Sequence, residues 1–458
     1  MEKKYDLIII GGGPGGTDAA EAAAKRGLKT AIVEKSAIGG TCLNRGCIPT
    51  KTILHTAGIY REAKNGGCLG LVNQEGLKID AAVLQDHKNE ILEKLRDGLT
   101  YTMEHCKVDI IEGTGTILDS RRIKVGERLL ETERILIASG STSMKLPIEG
   151  SDLPNVVTSD ELLASVRVPD SMVIIGGGVI GMEFAAIYSD FGCRVTVLES
   201  LKRVLDNFDK EIGRSIAMIL SKRNVDIHTE AKVNSIARAD DEQRLICEYE
   251  EKGNVCRAEG ELVLIAAGRS PYVECLFSDE SSSEVKQMKR EHGYIAVNDR
   301  YETSVPGIYA IGDVTGGIQL AHAASAEGVN AVACMAGDPP PFNLDLVPSC
   351  VYTEPEIASV GLTADLAKAA GRKVITRKYP MGSNGKSVLT MQERGFIKII
   401  ADAESEKVLG AQLMCARATD MITQFSQAIA AGLSLNHMAE ILYPHPSFCE
   451  GIGKAAAK

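Results

Sequence analysis

Two cysteines stand five positions apart in Cys42-Leu-Asn-Arg-Gly-Cys47, just after Gly39-Gly40 and just before Pro49 and Lys51. A thiol pair that can close to a disulfide and reopen moves two electrons by exchange. An α-helix rises ~1.5 Å and turns ~100° per residue, so positions five apart sit roughly 8–9 Å apart, beyond the ~7 Å limit for a disulfide. A regular helix cannot bridge the pair. Gly46 and the Gly39-Gly40 pair let the backbone fold more tightly, and Pro49 suits the first turn of a following helix. A thiolate near that helix N-terminus is stabilised by the dipole. Spacing alone does not separate such a site from two unrelated buried cysteines, so the surrounding elements must decide.

Those elements begin with Asp6-Leu-Ile-Ile-Ile10, a short β-type apolar run, followed by Gly11-Gly-Gly13-Pro-Gly-Gly16 and an Ala-rich helix predicted from Thr17 to Arg26. Strand, glycine turn and helix in this order form a dinucleotide phosphate fingerprint in its required context. Gly11 makes the turn, Gly13 lets a pyrophosphate approach the helix N-terminus, and Gly16 lets helix and strand pack closely. A second strand, Thr30-Ala-Ile-Val33, ends at Glu34, the carboxylate expected on a ribose hydroxyl about 20 residues on. The order recurs in Ser171-Met-Val-Ile-Ile175, Gly176-Gly-Gly178-Val-Ile-Gly181, a helix through Asp190, and Arg194-Val-Thr-Val-Leu198 ending at Glu199. Accidental repetition of a five-part order is improbable, which gives two nucleotide sites. Glu199 accepts hydrogen bonds from a free 2′-hydroxyl and repels a 2′-phosphate, favouring NAD over NADP, although Lys202 and Arg203 follow closely. A nicotinamide moves a hydride and a dithiol moves an electron pair, and a flavin mediates between them. A flavin at one fingerprint and NAD at the other is therefore expected. The residues alone do not assign which site holds which.

The chain has 458 residues, 44% of them hydrophobic, enough for several domains with substantial cores. A net charge of −10 leaves no electrostatic footprint for nucleic acid. The longest apolar stretches fall far short of the ~20 residues a membrane helix needs. With no export signal in view, twelve cysteines are expected to sit in a reducing, cytoplasmic setting, where a persistent disulfide is catalytic rather than structural. The other ten, including Cys68, Cys106, Cys193 and Cys334, follow no metal-ligand spacing, and no metal site is expected.

Gly39-Gly-Thr-Cys-Leu-Asn-Arg-Gly-Cys-Ile-Pro-Thr-Lys51 closely resembles the redox loop of the pyridine nucleotide-disulfide oxidoreductases, and within them the branch that oxidises dihydrolipoamide to lipoamide with NAD⁺. The resemblance spans essentially the whole chain. Ile135-Leu-Ile-Ala-Ser-Gly140 is similar to the crossover leaving the first FAD segment. Ala266-Ala-Gly-Arg-Ser-Pro271 is similar to the end of the NAD domain, and Tyr309-Ala-Ile-Gly-Asp313 to the second FAD signature. The implied fold is α/β, with two Rossmann-like dinucleotide-binding domains and a C-terminal α+β dimerisation domain. The implied boundaries are 1–143 for the FAD domain with the redox loop, 144–268 for the NAD domain, 269–340 for a central segment completing the FAD site, and 341–458 for the interface domain.

Residue by residue, the resemblance implies that Gly11, Gly13, Gly16, Glu34, Lys35, Thr41, Lys51, Gly115, Ser139, Gly140, Ser141, Asp313 and Ala321 hold FAD. Gly176, Gly178, Gly181, Glu183, Glu199, Val233 and Gly268 are implied for NAD, with Glu183 also pairing Lys51 at the flavin edge. Cys47 is implied as the thiol facing the flavin and Cys42 as the one exchanging with substrate sulfur. Tyr443-Pro-His-Pro-Ser-Phe-Cys-Glu450 is similar to the family's His-Pro motif, making His445 the acid/base and Glu450 its orienting carboxylate. Such a base is needed because only a thiolate attacks disulfide sulfur efficiently. The same resemblance implies a homodimer in which His445 reaches the other subunit's cysteines, and lipoyl domains of a 2-oxo acid dehydrogenase complex or glycine cleavage system as partners.

Val179, Ser200 and Asp206 stand where glutathione-type reductases carry a tyrosine lid and two arginines, which points away from NADPH. Arg45, Tyr443 and Cys449 depart from the lipoamide-enzyme pattern and bear on substrate preference. The nearest rival is a related reductase of another small disulfide using NADH or NADPH. A non-catalytic subunit with a degenerate oxidoreductase fold is disfavoured by the intact cysteine pair, His445 and two full fingerprints.

Overall fold

The computed structural model describes residues 4–72, 74–240 and 243–457. The apolar run predicted as the first strand lies at the centre of a sheet: Lys4–Ile10 pairs in parallel with Thr30–Glu34 on one side and Arg128–Ile137 on the other. Burial on both faces explains why Leu7 to Ile10 is apolar without alternation. Asp109–Glu112 extends one edge in parallel, and the antiparallel hairpin Gly115–Asp119/Arg122–Val125 extends the other. Ile308–Ala310 returns from far along the chain to pair with Arg128–Ile137, so this sheet is completed only after an intervening unit has been made.

That unit is a five-stranded parallel sheet in the spatial order Val225–Thr229, Arg194–Glu199, Ser171–Ile175, Leu262–Ile265, Val156–Thr158. Three antiparallel strands, Ala231–Arg238, Leu245–Glu251 and Asn254–Gly260, lie against it. The exit and return paths are stitched together by a two-stranded antiparallel link, Ser141–Ser143 with Arg269–Pro271.

The last part of the chain is a five-stranded antiparallel sheet in the order Ser349–Val351, Ile357–Gly361, Val408–Met414, Phe396–Asp402, Val374–Pro380. Helices Ala418–Ala430 and Glu450–Ala457 cover it through Phe425, Ile422 and Ile452, all fully or nearly fully buried. No helix among the described residues is long and apolar enough to cross a membrane.

Candidate active site

Both glycine turns take the same shape. Gly11 and Gly176 adopt φ of +111° and +113°, a region that disfavours side chains. A Cβ at Gly16 would lie 2.0 Å from the Gly11 carbonyl oxygen, and one at Gly181 would lie 1.9 Å from that of Gly176. The third glycine of each fingerprint is thus fixed by backbone contact with the first. The middle glycine has another reason. A Cβ at Gly13 would meet nothing nearer than 3.9 Å, and at Gly178 nothing within 4 Å, so each faces open space at the start of a helix, Pro14–Lys25 and Val179–Asp190. A pyrophosphate fits that space and that dipole.

The acids at the ends of the second strands are held alike. Glu34 accepts from Gly12 N at 2.8 Å and Ser36 N at 2.9 Å, and Glu199 accepts from Gly177 N at 2.6 Å and Leu201 N at 2.7 Å. Each carboxylate is anchored beside its glycine turn with lone pairs left for ribose hydroxyls. Arg203, a cation that could have favoured a 2′-phosphate, pairs instead with Asp206 at 2.7 Å.

Both turns open into one cavity of about 1850 Å³, roughly twice the upper range of a single small-molecule site. Gly11, Gly13, Glu34, Lys35, Thr41, Lys51, Gly115, Ser139, Gly140, Ser141, Asp313 and Ala321 line it, as do Gly176, Gly178, Glu183, Glu199, Val233 and Gly268. Gly16 and Gly181 do not reach it, in keeping with their packing role. The donors and acceptors present fit two dinucleotides.

The redox loop lies on this cavity. The helix Gly40–Arg45 stops at Gly46, whose φ of −141° and ψ of −103° break the turn, and a new helix, Cys47–Lys64, starts at Cys47 itself. The break supplies the tightening that five-residue spacing requires. Cys42 and Cys47 are both free thiols and are joined by a side-chain hydrogen bond. That bond pulls Cys47 down to about 7, with the Lys51 ammonium helping and burial and Glu183 opposing. Cys42, the donor, is pushed well above the usual thiol range by the same bond and by burial. The pair is asymmetric: Cys47 is the sulfur that ionises near neutrality, and Cys42 stays a protonated thiol.

Lys51 Nζ lies 2.7 Å from Glu183 Oε2, pairing the redox helix with the helix of the second fingerprint. Glu183 is buried, and its other oxygen accepts from Tyr352 N at 3.0 Å, while the Tyr352 ring lies 4.7 Å from Lys51 Nζ. Asp313 accepts from Ser141 Oγ, to which Arg269 Nε also donates at 2.7 Å. The motif Ala266 to Pro271 contains Arg269 without marking it as a site residue, and nothing in the sequence around Tyr352 marks that residue either. Neither has a spacing signal, because each acts through contacts between distant segments.

Of the other ten cysteines, Cys275 and Cys350 also line the cavity. Burial pushes Cys350 up to about 11. Cys449 accepts a hydrogen bond from Gln424 Nε2 at 3.4 Å and packs against the interface-domain core. Among the described residues no cluster could hold a metal ion.

His445 and Glu450 are adjacent, with His445 Nδ1 2.9 Å from Glu450 Oε1, and Glu450 Oε2 accepts from Ser447 N at 3.0 Å. The Ser447 amide first, then His445, holds the Glu450 carboxyl below its ordinary value. Within one chain this pair does not line the cavity that holds the cysteines. The His445 side chain is 77% exposed, and Leu442, three residues before it, is 97% exposed.

A fold built from two dinucleotide units around a thiol pair defines a class, and the comparisons with known proteins name it. Residues 5–328 match the model of the pyridine nucleotide-disulphide oxidoreductases and residues 347–456 that of their dimerisation domain, and the chain belongs to this family. It is similar to a dihydrolipoyl dehydrogenase of Bacillus subtilis (strain 168), 38% identical over 470 residues, covering 100% of this chain and 98% of that protein. It also resembles the mitochondrial dihydrolipoyl dehydrogenase of Pisum sativum, 35% identical over 98% of this chain and 90% of that one. Among solved structures, LpdA from Mycobacterium tuberculosis matches with a TM-score of 0.89 at 26% identity, covering 99% of each chain. The HOCl-induced flavoprotein disulfide reductase RclA from Escherichia coli matches with a TM-score of 0.87 at 28% identity, again over 99% of each. The chain is a flavoprotein oxidoreductase whose cofactors are FAD and NAD(H).

Proposed function

We propose that the chain oxidises dihydrolipoamide to lipoamide with NAD⁺, with Cys42 and Cys47 as the exchanging sulfurs. The observation that carries the reading is the thiol pair on the shared cavity, with Cys47 held at about 7 beside Lys51. Full-length relatives named dihydrolipoyl dehydrogenase supply the substrate class. The first fingerprint with Glu34, Ser141 and Asp313 would hold FAD, and the second with Glu199 would hold NAD. When bound, the flavin and nicotinamide supply the two-electron transfer between the dithiol and solution.

The chain's own residues handle sulfur and protons. With the pair oxidised, a substrate thiolate attacks the Cys42 sulfur; the S–S bond to Cys47 breaks and Cys47 leaves as the thiolate that Lys51 stabilises. The second substrate thiolate then displaces Cys42, releasing lipoamide and leaving the dithiol. Each substrate thiol gives up a proton, and imidazole is the group that accepts it. His445, oriented by Glu450, is the proposed acceptor, from the other copy of a homodimer. The placing of His445 in the dimerisation domain supports this, as do Ile441 and Leu442, both exposed three to four residues before it, an apolar pair that a partner surface would cover. The lipoyl-bearing partner would be a 2-oxo acid dehydrogenase complex or the glycine cleavage system, and the setting cytoplasmic.

Steady-state turnover of dihydrolipoamide, glutathione disulfide and coenzyme A disulfide with both nicotinamides tests the reading. NAD⁺-dependent dihydrolipoamide oxidation should dominate and disappear in Cys47→Ser while bound FAD is retained. Preference for another disulfide would transfer the reading to the small-disulfide reductases, and undiminished Cys47→Ser turnover would remove the dithiol relay.

A further inference from the structure

Lys51 and Glu183 are not the only ion pair between their helices. At the far ends of the same two helices, Arg61 Nη1 lies 2.6 Å from Asp190 Oδ2. The pairs at the near and far ends are separated by ten residues on one helix and seven on the other, roughly 10–15 Å at ~1.5 Å per residue. The third segment at both sites is also shared. Tyr352 contacts Glu183 and Lys51, and two residues later Glu354 contacts Arg61. Arg223 closes the far cluster, with Nη2 3.4 Å from Glu354 Oε2 and Nη1 3.7 Å from Asp190 Oδ1. Two ionic clasps therefore fasten the redox helix, the second-fingerprint helix and the 352–354 segment to one another.

The far clasp is a poor device for stability alone. The Asp190 side chain is only 5% exposed, and burial raises its carboxyl above the ordinary value despite two guanidinium neighbours. Buried ion clusters are often matched or surpassed in stability by apolar side chains of the same volume. What an ion cluster does impose is a fixed geometry. The two helices also share an apolar core through Ile53, Ala57, Phe184 and Tyr188, and ion pairs at both ends add a directional restraint on rotation and sliding that apolar packing lacks.

We propose that the Asp190–Arg61–Arg223–Glu354 cluster is a positioning device that holds Lys51 and Glu183 in register with the Cys47 sulfur. These four are positioning residues, since none lines the cavity. Cys47 reports the register because the groups that act on it are Cys42, Lys51 and Glu183. If the helices pivot, the Lys51 ammonium moves off the sulfur and its support for the thiolate weakens.

The test uses reduced, FAD-bound enzyme and the variants Asp190→Asn, Arg61→Lys and the apolar pair Arg61→Met/Asp190→Leu. Each is followed by thermal unfolding and by the pH midpoint of Cys47 alkylation, with the modified peptide identified by mass spectrometry. The apolar pair should unfold at or above the wild-type temperature and yet titrate Cys47 higher by about half a unit or more. Asp190→Asn should shift it in the same direction, and Arg61→Lys, which retains the cation, less. A wild-type midpoint in folded Asp190→Asn and in the apolar pair would overturn the proposal and leave only a domain fastener. The inference rests on Cys47 and Lys51 belonging to the redox site. A wild-type Cys47 that does not titrate near neutrality would fail that reading, whereas unshifted variants against a normal wild type fail the clasp alone.

Discussion

Replacing Cys42 by alanine removes the hydrogen-bond donor that makes Cys47 acidic. The Cys42 thiol is the largest influence lowering Cys47 from 9.0 to about 7, followed on the same side by Lys51 and opposed by burial and Glu183. Such a depression is a preference of a few kcal/mol, on the order of 1.4 kcal/mol for each tenfold change, for the thiolate. At pH 7 the wild-type sulfur is about half ionised, while a thiol titrating at 9 is ionised to about 1%. Without its donor Cys47 keeps the burial penalty and the Lys51 charge, and its midpoint is expected to rise by about 1–2 units. The sign follows: wild-type Cys47 gives up its thiolate as pH falls through 7, and the variant gives it up already well above 7. Iodoacetamide alkylation of the reduced holoenzyme across pH, quantified at the Cys47 peptide, reads this midpoint. Cys42→Ser retains an O–H donor and should stay within about half a unit of wild type. A Cys42→Ala midpoint still near 7 would refute the hydrogen-bond argument and give the acidity to Lys51 and the helix N-terminus.

Two glycine substitutions one turn apart should separate binding from folding. Gly178→Ala meets no protein atom within 4 Å and should cost under about 1 kcal/mol of stability while weakening NAD binding, read by titration calorimetry. Gly181→Ala, whose Cβ would lie 1.9 Å from the Gly176 oxygen, should destabilise by about 3 kcal/mol or more in thermal unfolding. Mixing unfolded His445→Ala and Cys47→Ser chains and refolding them together should regain about a quarter of wild-type turnover, since half the dimers would be mixed and each would hold one intact site of two. No recovery would place His445 and the cysteines in the same subunit.

The parts legible in the sequence are those whose chemistry depends on neighbours in the chain. Gly11 to Gly16 and Gly176 to Gly181 announce strand, turn and helix because each glycine answers a local demand. The anchoring of Glu34 and Glu199 repeats because the local demand repeats. The Cys42–Cys47 loop was legible in part: its spacing excluded a regular helix, and the break at Gly46 is where the excess length goes. Helix starts were less well placed, since Pro14 opens the first helix three residues before Thr17. What stayed hidden are contacts made across the fold. Nothing near Arg61 or Asp190 in the chain signals that they meet, and Tyr352 gives no sign that its amide will cap a buried glutamate 169 positions earlier.

The asymmetry of the thiol pair bears on the proposed sharing of the site between two chains. Cys47 has everything it needs within its own subunit: a donor in Cys42, a cation in Lys51 and a helix start beneath it. Cys42 has the opposite surroundings, held protonated by the thiolate next to it and by burial. In the proposed exchange a base must take the proton of each substrate thiol on the Cys42 side of the pair, and Cys42 itself leaves the exchange protonated. Among the described residues the one imidazole lining the cavity, His322, lies 2.8 Å from the Pro348 carbonyl oxygen and has no carboxylate partner, while His445, paired with Glu450, stands exposed near the end of the sequence. The cysteines lie in the part of the chain that carries the fingerprints and the His445–Glu450 pair lies within the dimerisation domain, so under the proposed reading they are complementary halves of a site. In the proposed dimer, twofold pairing of the chain with itself would supply both at once, and would do so twice per dimer.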